Sequence, residues 1–90
     1  MADPRAAQTS VNGVSLSYFE WGERRADAPS TLLLHATGFH ARCWDQCVAH
    51  LSGHIVALDM RGHGRSEKTP PYLWNTFGDD VVAFIEALDL

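Results

Sequence analysis

Leu32-Leu33-Leu34 and Ile55-Val56-Ala57-Leu58 are short, unbroken apolar runs. Runs of this length, bounded by turn formers such as Pro29 and Gly38, read as strands buried on both faces. They predict strands over residues 31–35 and 54–59. Around Asn12-Gly13 the pattern changes to alternation, with Val14, Leu16 and Tyr18 on one face and Ser15 and Ser17 on the other. Asn-Gly accepts positive φ at both central positions of a type I′ turn, so residues 8–11 and 14–21 predict a hairpin. Trp44, Cys47, Val48 and Leu51 recur at helical spacing and predict a helix over 41–52. Phe77, Val81, Phe84, Ile85 and Leu88 predict a second helix. Thr76 is its expected cap, and Asp79 and Asp80 suit the positive end of its dipole. A strand–helix–strand order implies a parallel pair joined by a right-handed crossover, and the fold class is α/β.

Ninety residues with 46% hydrophobic content make one small unit. At that size about 60–65% of the unfolded surface is buried, so the unit is marginal alone. Residues 1–8 form a polar lead-in and 9–90 the folded part. The net charge is −4 and the seven Lys and Arg are scattered, so a nucleic-acid partner is not expected. No apolar run approaches the ~18 residues of a membrane span. The first residues carry no apolar signal segment, so a cytoplasmic protein is expected.

Cys43, Cys47, His50 and His54 stand at i, i+4, i+7 and i+11. One helix face cannot surround a tetrahedral zinc, and Gly53 should end the helix before His54. The expectation is therefore two buried thiols, two surface histidines and no metal. No cofactor is expected either.

The candidate chemistry lies where the apolar runs end. His35-Ala36-Thr37-Gly38-Phe39-His40 is a tight loop from a strand into a helix N-terminus. Backbone N–H groups there are unpaired and stabilise an anion. Asp59-Met60-Arg61-Gly62-His63-Gly64-Arg65-Ser66 is the matching loop after the second run. Gly64-Arg65-Ser66 is half of a nucleophile elbow, but Lys68 stands where the second glycine belongs, so Ser66 reads as a hydrogen-bonding loop residue. His40 and His63 read as loop residues.

These two motifs, in this order and separated by one helix, resemble the α/β-hydrolase superfamily over residues 9–90. His35, Gly38 and Trp44-Asp45 match its oxyanion loop. Asp59, Arg61, Gly62, Gly64 and Ser66 complete its Asp-x-Arg-Gly-x-Gly-x-Ser loop. Ala36 stands where the family usually has glycine. The resemblance implies the N-terminal part of the fold: a β-hairpin, then β-α-β-α, strand order 1-2-4-3, with the helices on opposite faces. It implies that the Thr37 backbone N–H donates to a developing oxyanion. His35 would brace that loop, and Asp59, Arg61, Gly62, Gly64 and Ser66 would be structural. The nucleophile, acid and base of the family follow later and do not stand among these residues.

The implied function is hydrolysis of ester or similar acyl bonds in a small molecule, with the 90-residue chain inactive alone. The alternatives are a non-catalytic small-molecule-binding protein of the same fold and a truncated remnant. The strand over 31–35 should be central in a complete sheet. Without its outer neighbour, its open edge would favour self-association.

Overall fold

The computed structural model describes residues 3–90. β1 (Arg5–Val11) pairs antiparallel with β2 (Val14–Trp21), from Arg5↔Glu20 to Val11↔Val14. Asn12 and Gly13 turn the hairpin at φ 49° and 74°, as a type I′ turn requires. The strand begins at Arg5, so the polar lead-in enters the sheet before its expected end. Backbone pairing to β2 sets that start. No β1 residue is buried, so hydropathy carried no signal for it.

β4 (Ile55–Leu58) lies between β2, antiparallel, and β3 (Thr31–Leu34), parallel. The sheet order is β1-β2-β4-β3. All of β4 is buried. β3 is not buried on both faces: its pattern is half-buried Leu32 and Leu33 between exposed Thr31 and Leu34. It stands at the edge of the sheet with a partner on one side, and an apolar sequence cannot supply the missing neighbour.

The 41–52 helix is shorter than its periodicity promised. Ala41–Trp44 is a 3-10 turn and α1 is Asp45–Val48. Of the apolar residues, Ala41 and Val48 are buried, while Cys43, Cys47 and Leu51 are exposed. α2 runs Trp74–Leu88. It starts before Thr76, with Leu73 at the cap position and no side-chain cap bond. Phe84 is its fully buried apolar residue, and Phe77, Val81, Ile85 and Leu88 are half-buried.

Alternation along β2 and β4 sorts the core into two layers. Phe19, Trp21, Ile55 and Ala57 pack with Ala41 and Val48. Val14, Leu16, Val56 and Leu58 pack with Phe84. Side chains of successive strand residues point to opposite faces, so α1 and α2 cover opposite sides of the sheet. Phe84 also meets Tyr18 edge-on at 5.1 Å. No helix among the described residues is long and apolar enough to cross a membrane.

Candidate active site

β3 and β4 are parallel, so the loops that follow them rise from the same end of the sheet, where open α/β sheets place their ligands. The first loop is a tight turn. The Phe39 N–H donates to the Ala36 carbonyl at 3.0 Å, with Gly38 at φ 88°. Positive φ at the third position is the type II pattern, and glycine adopts it without steric cost. Ala36 lies outside the left-handed region. The turn therefore makes no demand for glycine at position 36.

Two histidines grip this turn. His35, buried at the end of β3, accepts the Met60 N–H on Nε2 at 2.9 Å, and its Nδ1–H donates to the Ala36 carbonyl at 2.8 Å. His63 accepts the Gly38 N–H on Nε2 at 3.0 Å, and its Nδ1–H donates to the Arg61 carbonyl at 2.9 Å. The rings lie 4.9 Å apart. Each ring has one nitrogen giving and one receiving, the arrangement of a neutral imidazole. Burial pushes the His35 pKa below the ordinary value and the charges of His63 and His40 push the same way, against the Ala36 carbonyl and Asp59. Both ring nitrogens of His35 are thus engaged by backbone groups. The Thr37 N–H between these anchors has no acceptor among the described residues.

The second loop is bound to the first through Asp59. Its carboxylate accepts the Ala41 N–H at 2.7 Å and the Arg65 N–H at 3.0 Å. Gly64, at φ 53°, passes so close that a Cβ there would overlap the same carboxylate. Ser66 is buried, donates to the Asp59 carbonyl and accepts the Ser17 N–H at 2.8 Å. Both roles of its hydroxyl are spent on backbone, so it is a structural peg. Glu67 adds a second tie, its N–H to the Ser15 carbonyl at 2.8 Å and its carboxylate to the Ser15 N–H at 3.0 Å. Arg61 is buried against Asp80 of α2, while Gly62 lies between Arg61 and His63 with its N–H on the Glu67 carbonyl.

Two residues escaped the sequence reading. Asp80 is 1% exposed and is Arg61's partner, not a dipole residue at a helix end. The available signal was an acidic residue three after Phe77, on the apolar stripe. His63 sits at a variable position of its motif and gave no signal. His54 also departs from expectation. It is buried, between the Ser30 hydroxyl at 2.6 Å and the Glu20 carboxylate at 2.7 Å.

Above the loops lies a cleft of about 410 Å³, lined by His35, Ala36, Thr37, Met60, His63, Trp74 and Phe77. It is an apolar recess with the Thr37 turn in its wall. Residues 31–90 match the family model described as the alpha/beta hydrolase family. The chain belongs to that family. Among curated relatives it is 34% identical over 86 residues to a non-heme chloroperoxidase of Streptomyces lividans, covering 91% of this chain and 30% of the relative. It is 36% identical over 84 residues to a bifunctional esterase/perhydrolase of Acinetobacter calcoaceticus, covering 89% and 30%. Among solved structures, a haloalkane dehalogenase loop variant from Bradyrhizobium elkanii superposes with a TM-score of 0.86 at 30% identity, over 97% of this chain and 29% of that one. An epoxide hydrolase from Vigna radiata gives a TM-score of 0.83 at 26% identity, over 100% of this chain and 30% of that one. The chain spans about 30% of the length of the curated relatives it matches. Its share of the alpha/beta hydrolase fold is the hairpin, the crossover, and the two loops and α2 that line the cleft.

Proposed function

We propose that these residues serve a hydrolase of ester or similar acyl bonds in a small molecule, and that Thr37 supplies a backbone N–H to its oxyanion hole. The observation that carries this reading is the Thr37 N–H, unpaired among the described residues, in a turn fixed on either side by His35 and His63 and set in an apolar cleft. A donor held in place beforehand stabilises the charge that develops on an attacked carbonyl, and an apolar wall strengthens that interaction. The relatives named as an esterase/perhydrolase and a chloroperoxidase support the class. The nucleophile, of serine type on a Gly-x-Ser-x-Gly elbow, does not stand among these 90 residues, and the cleft histidines among the described residues have their ring nitrogens on backbone groups, so in this reading the chain alone has no turnover.

Substitution at Thr37 tests the role in the protein that carries this segment. Thr37→Val keeps the N–H and most of the ester hydrolysis. Thr37→Pro removes the N–H and costs about a hundred- to a thousandfold in kcat, the measured worth of one oxyanion donor. Equal losses in Val and Pro would make the hydroxyl the donor and sink the assignment. A non-catalytic small-molecule binder of the same fold is the second reading, favoured by the apolar cleft and its committed histidines. Saturable binding without turnover in the protein that carries this segment would select it.

A further inference from the structure

The Gly38 N–H belongs to the central peptide of the Ala36–Phe39 turn, the unit whose orientation separates a type II turn from a type I turn. The 36–39 turn bond survives in either type, so it does not fix that peptide. His63 Nε2, at 3.0 Å from the Gly38 nitrogen, does. His63 is itself aimed from below, its Nδ1–H held by the Arg61 carbonyl at 2.9 Å. Arg61 is in turn clamped to Asp80. A chain of contacts thus runs from the buried ion pair through His63 to the turn that carries the Thr37 N–H.

We propose that His63 is a positioning residue of the oxyanion loop, its Nε2 holding the Thr37–Gly38 peptide in the type II orientation. This rests on the reading of Thr37 given above. His35 faces His63 from the end of β3, with Phe77 and Trp74 of α2 and the surface residues Lys68 and Tyr72 beside it. The Gly38 N–H goes to His63 and to none of these. The Asp59 carboxylate is occupied by the Ala41 and Arg65 N–H groups. Loss of His35 would disturb the Met60 N–H, a different reporter.

The test is amide protection, corrected for intrinsic exchange, at Gly38 and Met60 by NMR, with ester hydrolysis measured in parallel on the protein that carries this segment. In the unmodified protein, Gly38 should be about fivefold more protected than an unbonded amide, the worth of one ordinary hydrogen bond. His63→Gln offers another side-chain acceptor, so Gly38 should stay protected and hydrolysis should be largely kept. His63→Phe should lose the protection, with kcat lowered and KM little moved. Met60 protection should be unchanged in both variants. Gly38 protection that survives His63→Phe overturns the latch whatever hydrolysis does. Protection that follows His63 while hydrolysis stays indifferent overturns the oxyanion reading and leaves the latch standing.

Discussion

The Arg61 guanidinium and the Asp80 carboxylate meet in a two-pronged pair. Nε and one Nη each lie 2.8 Å from a separate carboxylate oxygen, with 5% and 1% of the two side chains exposed. This pair joins the loop after β4 to α2. The Asp80 carboxylate raises the Arg61 pKa above its ordinary value. Asn12 of the hairpin turn donates to the same carboxylate at 2.8 Å, so two elements besides its own helix converge on one acid.

Breaking a buried pair leaves an uncompensated charge. Asp80→Ala should therefore cost about 3–5 kcal/mol in denaturant unfolding. Arg61→Met combined with Asp80→Leu should recover much of that loss, since an apolar replacement of both partners is often neutral or better. If the double variant is as unstable as the single one, the pair contributes net stability and not just mutual compensation.

Gly38 and Gly64 both carry positive φ, for different reasons. A Cβ at Gly38 would meet nothing within 4 Å, so Gly38→Ala should cost only the left-handed backbone penalty, about 1–2 kcal/mol. A Cβ at Gly64 would overlap the Asp59 carboxylate, which is pinned by two N–H groups. Gly64→Ala should exceed about 3 kcal/mol, because those bonds must also be given up. Chemical denaturation of the two variants side by side checks the order. Equal costs would mean that Asp59 moves aside freely.

Acid should destabilise the fold through His35. Its pKa is lowered by burial, so below about 6.5 the unfolded chain takes up a proton that the folded one resists. The unfolded state then binds more protons, and stability falls as pH falls from that point until the folded His35 itself protonates. Melting temperatures at several values between about pH 8 and 5 should show the decline, and His35→Gln should flatten it. An undiminished slope in His35→Gln would assign the acid sensitivity to another group.

The open edge of β3 should make the 90-residue chain self-associate. Thr31 to His35 contains no lysine, proline or inward charge, the devices that block edge pairing. Leu34 is already 39% exposed, so Leu34→Lys adds such a device at small cost to the core. Sedimentation should show assemblies for the unmodified chain and a monomer for Leu34→Lys. A monomeric unmodified chain would show that this edge is protected.

The strands were legible where local pattern and final environment coincide. β2 alternates over Val14–Tyr18 because Val14, Leu16 and Tyr18 join the Phe84 layer while Ser15 and Ser17 join neither apolar layer, and β4 is an apolar run because it is buried on every residue. β3 has the same kind of sequence yet lies half open, since burial there depends on a neighbour and not on the strand itself. The stripe over 41–52 overstated its helix because Cys47 and Leu51 match the period but face solvent. The two motif loops were legible as types, and the structure shows why the motif residues matter: Asp59, Gly64 and Ser66 touch one another or share partners. Asp80 and His63 were illegible because their partners, Arg61 and Gly38, lie 19 and 25 residues away.

The Asp59 carboxylate has a consequence for anyone who would re-engineer this cleft. One of its oxygens holds the start of the 3-10 turn after β3, and the other holds the loop after β4. The two rims of the recess therefore behave as a single casting. Transplanting either one into another scaffold would bring along an anchoring demand that the foreign partner rim does not meet. Grafts that move residues 35–41 and 59–67 together, with Ser17 and Ser15 retained beneath them, carry their own fastenings.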